Sequence, residues 1–247
     1  MGKTCFGRLP TLPHLVAKHL SASSASTSNS SKHRIKSHDK DGYAVRAILP
    51  RPSSAASPKG CYATKSLGRG LPHIPINHLS CTVGENVSIV PDAGISAALV
   101  YRYFSFYGQR RLYATMAGVM GFGIPGSIAV ALREPRKKVI CLVGDGGFMM
   151  TGFDLAIAVE KKLPICIFLA NNRSLGPIYF HQEKHYPGGA HATALPGPDF
   201  KALAESFGCT ALRIESEEDI ANVATQALKV EGPVLVEVNT SLTILRK

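Results

Sequence analysis

From about residue 76 onward the chain alternates short apolar runs with stretches of helical period, and before that point no period is sustained. Residues 87–91 (VSIVP) are a short apolar run, and the Ala-rich stretch that follows, as far as residue 107, predicts a helix. The run KVICLV at 138–143 is continuously apolar, as a strand covered on both faces must be, and GDGG at 144–147 reads as a turn after it. Residues 154–162 are apolar at helical spacing, and 164–169 (PICIFL) predict the next strand. The pattern repeats with a helix over 199–207, a strand over 210–214, a helix over 217–229 and a last strand over 233–238. Such alternation means parallel strands joined by crossover helices, so the expected fold class is α/β: a three-layer α/β/α domain with a mostly parallel sheet. No internal repeat is visible.

Residues 112–132 form a stretch of 21 positions without a charge, long enough to span a membrane. Its four glycines, Pro125, Thr115 and Ser127 leave too few large apolar side chains for a strong insertion signal. A Gly-rich turn followed by a helix packed closely on a sheet is the better reading. Residues 1–75 differ in kind. Seven serines fall within residues 21–31, prolines recur from 50 to 75, and large apolar residues are too sparse to offset chain entropy. The domain organisation expected is a disordered basic Ser/Pro-rich tail over 1–75 and one domain over 76–247. The segment before Asp39 has no acid and is rich in Ser, Lys and Arg, which is the composition of an organelle transit peptide; the cytoplasm or an organelle matrix is the expected location.

Charge changes the picture only in the tail. The net charge is +11, but residues 1–75 hold twelve Lys and Arg against Asp39 and Asp41, whereas residues 76–247 hold sixteen against fifteen acids. The folded part therefore lacks the clustered basic surface that tracking a phosphate backbone requires, and no nucleic-acid partner is expected. The six cysteines never approach CxxC spacing, and Cys141 and Cys166 sit within apolar runs, so all six read as reduced thiols in a reducing compartment.

In an open parallel sheet, ligands sit beyond the carboxyl ends of the strands. The two loops to inspect are Gly144-Asp145-Gly146-Gly147 and Asn171-Asn172-Arg173-Ser174. One carboxylate among glycines, followed one parallel βαβ unit later by an amide, brings Asp145 and Asn172 to the same edge of adjacent strands. Both are hard oxygen ligands suited to Mg²⁺, which takes its remaining ligands from phosphates and water. The implied ligand is a diphosphate bridged by Mg²⁺. The ordinary alternatives are a helix cap for Asp145 and a turn residue for Asn172. His181 and His185 are four apart, yet HQEKH lacks the Glu position of HExxH and no third ligand is evident, so no zinc site is expected. The glycines at 118–126 do not spell a nicotinamide fingerprint.

The pattern Gly144-Asp145-Gly146, twenty-four residues, then Asn171-Asn172 resembles the cofactor motif of thiamine-diphosphate-dependent enzymes. Asp92-Ala-Gly94, Met120 to Pro125 (MGFGIP), Leu163-Pro164, residues 181–188 and residues 198–204 are similar to the corresponding stretches of the acetolactate-synthase-like branch. The likeness covers roughly residues 76–240, that family's C-terminal diphosphate-binding (PP) domain. It implies thiamine diphosphate and Mg²⁺ as cofactors. Asp145, the side chain of Asn172 and the backbone carbonyl of Ser174 would ligate the metal. Backbone groups of Gly146, Gly147 and the turn from Gly94 to Ser96 would touch the diphosphate. Gly118 would accept from the 4′-amino group of the cofactor. Met120 would be the apolar wedge that presses that nitrogen toward thiazolium C2, so that a proton can pass between them.

By the same resemblance the activity is cleavage or formation of carbon–carbon bonds on a 2-oxo acid. Two positions depart from the family pattern: Ile95 stands where many relatives carry a polar side chain, and Asp154 where Glu is common. The family also uses a glutamate from a pyrimidine-binding domain, for which these residues have no place; a chain or domain supplying that half is the expected partner, in an oligomer. No FAD site is expected. The alternative is a non-catalytic remnant or regulatory module that retains the cofactor-binding fold.

Overall fold

The structure, a computed structural model, describes Arg46–Ala47, residues 73–240 and Leu242. The disordered tail and the transit-like segment expected before residue 75 lie almost wholly outside those residues. Strands are β1 (Arg46–Ala47), β2 (Val87–Pro91), β3 (Arg111–Ala114), β4 (Lys138–Gly144), β5 (Ile165–Asn171), β6 (Thr210–Ile214) and β7 (Val234–Asn239). Helices are α1 (His73–Thr82), α2 (Ile95–Tyr103), α3 (Gly123–Arg133), α4 (Asp145–Thr151), α5 (Leu155–Glu160), α6 (Gly176–His185), α7 (Phe200–Ser206) and α8 (Asp219–Lys229). A 3₁₀ turn over Gly152–Asp154 joins α4 to α5.

Strand order is β1-β3-β2-β4-β5-β7-β6, and every pairing from β3 to β6 is parallel. Only the two-residue β1 runs antiparallel, pairing Arg46 with Ala114 and Ala47 with Tyr113. The central strands β4, β5 and β7 are buried along nearly their whole length, as their apolar runs require. Strand period then divides the core into two layers. Ile89, Ile140, Leu142, Phe168 and Val236 face Leu79, Val100, Ile220 and Ala224 of α1, α2 and α8. Val90, Cys141, Val143, Ile167 and Leu235 face Ile124, Ile128, Leu155 and Phe200 of α3, α5 and α7. This is the expected three-layer α/β/α arrangement.

The uncharged stretch 112–132 resolves into β3, a loop and an eleven-residue α3. Among the described residues no helix is long and apolar enough to cross a membrane. Its glycines permit close packing instead: a Cβ on Gly123 would stand 3.2 Å from both Asp92 and Cys141, and one on Gly126 would meet the Phe122 ring at 2.6 Å. Buried Arg110 ties the end of α1 to the segment after α2. Its guanidinium donates to the carbonyls of Ser80, Val83 and Ser105 and to Tyr107 Oη, while its Nε donates to Gly84.

The structure corrects the reading of the cysteines at one position. Cys141, Cys166 and Cys209 are free and buried, with thiols pushed up to about 12 by burial. Cys81 is disulfide-bonded. It sits at the exposed end of α1, where a sulfur is reachable, whereas the three free thiols are enclosed on or beside strands.

The Phe148–Phe200 pair, edge to face with centroids 5.6 Å apart, lies under the start of α4. Phe200→Ala is expected to cost about 3–5 kcal/mol in denaturant unfolding. Leu132→Ala, at an exposed position, is expected to stay within about 0.5 kcal/mol of the parent.

Candidate functional site

The carboxyl ends of β2, β4 and β5 open into one cleft. Gly94, Ser96, Met120, Asp145, Gly146, Gly147, Asn172 and Ser174 all line it. Of the residues to which the resemblance gives a cofactor or metal contact, Gly118 alone lies outside that lining. It occupies the exposed loop between β3 and α3, two residues before Met120, in a left-handed conformation (φ 61°).

Gly144 pairs with Ala170 across parallel β4 and β5, so the two loops that follow leave the same edge of the sheet side by side. Asp145 opens α4 at 4% exposure. Its Oδ1 accepts from the N–H of Gly146 at 2.8 Å, and its Oδ2 has no hydrogen-bond partner among the described residues. Burial holds the carboxyl above its ordinary range. The backbone N–H groups of Gly146 and of Arg173, Ser174 and Asn172 oppose that shift without cancelling it. Gly144 is the N-cap of α4 and Asp145 its first residue, so the Oδ1 bond to the first-turn N–H of Gly146 accounts for one carboxylate oxygen and leaves Oδ2 unexplained.

The second loop is held from two sides. Asn172 Oδ1 accepts from Ser174 N at 3.0 Å, closing a local turn. Arg173 is left-handed (φ 52°), and its N–H donates to Asn171 Oδ1 at 3.2 Å. Asn171 in turn donates through Nδ2 to the buried carboxylate of Glu237 on β7 at 2.7 Å, and Glu237 accepts from Arg213 Nε and a terminal guanidinium nitrogen at 2.9 and 2.8 Å. From the other side, Ser174 Oγ and Leu175 N both donate to the Thr193 carbonyl, and Leu195 N donates to the Arg173 carbonyl. The Ser174 carbonyl accepts from Gly176 N at 2.9 Å and keeps a second lone pair.

Space beside the carboxylate is tight, and at Gly147 it admits no side chain while Asp92 keeps its place. A Cβ on Gly147 would fall 1.9 Å from Asp92 Oδ2, and one on Gly146 would be 3.2 Å from both Leu175 and the terminal methyl of Met120. Met120 thus reaches over Gly146 while remaining 42% exposed. Gly94 adopts φ 83°, a conformation glycine alone takes readily. Sequence reasoning gave no role to Asn171 or Glu237. The one clue to Glu237 was a single acid in an otherwise apolar strand, and Asp92 was noticed only as part of a motif. His181 and His185 lie on α6 with rings edge to face at 4.8 Å, and no cluster of three metal-ligating side chains occurs among the described residues.

A buried, half-satisfied carboxylate beside an amide oxygen and a carbonyl with a free lone pair is a hard oxygen set. It suits a small divalent cation, and glycine N–H groups stand next to it. These residues fit a diphosphate held through Mg²⁺.

Comparison with known proteins places the chain in a family. The model of the thiamine pyrophosphate enzyme C-terminal TPP binding domain matches residues 92–238. A "Probable acetolactate synthase large subunit" of Methanococcus aeolicus is 35% identical over 157 residues, covering 63% of this chain and 26% of that protein. The acetolactate synthase of Bacillus subtilis is 33% identical over 164 residues, covering 66% and 29%. The acetolactate synthase isozyme 1 large subunit of Escherichia coli is 31% identical over 194 residues, covering 78% and 34%. The chain spans about a quarter to a third of the length of these relatives.

Because burial raises the Asp145 pKa, the native state holds this proton more tightly than the unfolded chain. Its destabilising effect is absent at low pH, where both states are protonated, and grows as pH rises through the carboxylate range. Asp145→Asn is therefore expected to raise the stability of the cofactor-free protein at neutral pH by about 1 kcal/mol. That advantage should vanish in acid when melts are compared across pH.

Proposed function

Because the chain belongs to the thiamine pyrophosphate enzymes through their C-terminal TPP binding domain, in the acetolactate-synthase-like branch, we propose that its cleft holds the cofactor's diphosphate through Mg²⁺ and serves a 2-oxo acid lyase or ligase. The observation that carries the reading is Asp145 Oδ2, a buried carboxylate oxygen without a partner among the described residues. A buried charge left in that state is costly, and a divalent cation is the partner that removes the cost.

In this reading Asp145 and Asn172 Oδ1 ligate Mg²⁺, joined by the Ser174 carbonyl. The backbone of Gly146 and Gly147, with that from Gly94 to Ser96, lies against the diphosphate. The Gly118 carbonyl accepts from the cofactor's 4′-amino group. Met120, already lying over Gly146, is the wedge that sets the angle between the cofactor's two rings. When bound, thiamine diphosphate supplies a nucleophilic thiazolium carbon and an electron sink for bond cleavage beside a carbonyl. The protein's own contribution is to orient: the Glu237–Asn171 pair and the Thr193 strap fix the second loop before any ligand arrives, so little ordering is left to binding.

The pyrimidine-binding half, with its glutamate, comes from outside the cleft, either from another chain or from a further domain. Exposed apolar side chains on the two segments that carry cleft residues support this: Met116 and Val119 on the Met120 loop, and Met149 and Met150 on α4. Exposed apolar side chains are what a partner surface would cover.

Thermal melts test the reading directly. Thiamine diphosphate and Mg²⁺ together are expected to stabilise the protein, by about 2.7 kcal/mol at a hundredfold excess over the dissociation constant. A chelator should reverse the effect, and Asp145→Ala should abolish it. Melts indifferent to cofactor and cation would refute the proposal.

A further inference from the structure

Met120 has little side-chain support of its own: it is 42% exposed and stands on a loop with exposed neighbours from Met116 to Val119. The peptide that follows it is held at both ends. Asp92, 2% exposed at the end of β2, accepts from Gly121 N through Oδ2 and from Phe122 N through Oδ1, each at 3.1 Å. Its Oδ1 also accepts from Ala93 N at 2.8 Å. On the far side, Thr151 Oγ1 at the end of α4 donates to the Gly121 carbonyl at 2.9 Å. Gly121 itself is left-handed (φ 83°), a conformation glycine adopts readily, and it is packed against Met150 and Thr151. The Asp92 carboxylate also occupies the space that a side chain on Gly147 would need. One buried acid thus meets the first residue of the turn before α2, the Met120 loop and the Gly146-Gly147 pair.

We propose that Asp92 and Thr151 are positioning residues: they clamp the Gly121 peptide and so aim Met120 across Gly146 at the cofactor's rings. The clamp rests on the wedge role given to Met120 above. Neither residue is assigned contact with the metal or the diphosphate. Three N–H donors converge on the two oxygens of Asp92, so asparagine, which replaces one acceptor with a donor, breaks at least one of these bonds. Thr151→Val keeps the branched shape and the methyl beside Gly121 and removes only the hydroxyl. It serves where Asp92→Asn fails to fold.

The full chain is titrated, in the presence of Mg²⁺, with thiamine diphosphate and separately with inorganic pyrophosphate. The first ligand reaches Met120 and the second occupies only the anion end. Asp92→Asn and Thr151→Val are expected to weaken thiamine diphosphate about tenfold and to leave pyrophosphate within about twofold. Met120→Ala should show the same selective loss, and adding Thr151→Val to it should change nothing further. A parallel loss of both ligands, no loss of either, or additive effects with Met120→Ala would overturn the clamp. Amide hydrogen exchange at Gly121 and Phe122 tests the clamp without any ligand. Slow exchange in the parent and faster exchange in the variants is expected, and unchanged rates would overturn it. If the parent binds neither ligand while this exchange pattern holds, the cofactor reading fails and the clamp stands.

Discussion

A carboxylate enclosed by protein with one oxygen unpaired is a standing free-energy cost, and the start of α4 is arranged around one. Asp145 is set there by the register of β4 on β5 and by a turn in which glycine leaves no room for anything larger. Its neighbours offer N–H groups but no cation among the described ion pairs, so burial prevails and its proton is held above the ordinary carboxylate range. A cost of this kind persists only where the surrounding fold overdetermines it, and under the proposed function a divalent cation is what would turn it into affinity.

The surrounding fold supplies that determination through acids that do not themselves line up on the ligand. Glu237, buried between Arg213 and Asn171, fixes the loop carrying Asn172 and Ser174. Asp92 joins the ends of β2 and the Met120 loop and stands against Gly147. Both are buried acids, and both are satisfied almost wholly by backbone or amide donors and one guanidinium. The sheet brings the loops to one edge, and these two carboxylates hold them in register with each other.

Much of this was legible in the amino-acid sequence, for identifiable reasons. The continuous apolar runs of β4, β5 and β7 could only be strands covered on both faces, and β6 was placed at its observed limits. Strand β3 was hidden because its four residues merge into the uncharged stretch leading to α3. Helix α4 was read as a turn because Gly146 and Gly147 are poor helix formers; they are kept there by lack of space beside Asp92 and Met120, which no local pattern reveals. The spacing of Asp145 and Asn172 put them at one edge of adjacent strands, and both line the cleft. Asn171, Glu237 and Thr151 act on the site through contacts 30 to 66 residues distant in sequence, and nothing in their own surroundings marks them.

The most direct measurement is a crystal structure of the protein grown with thiamine diphosphate and Mn²⁺ in place of Mg²⁺, the ion being located by its anomalous scattering. A single peak bonded at about 2.0–2.2 Å to Asp145 Oδ2, Asn172 Oδ1 and the Ser174 carbonyl, with diphosphate oxygens completing an octahedron, is the predicted result. An ion bound elsewhere, or a cofactor seated in the cleft with Asp145 Oδ2 still unpaired, would contradict it.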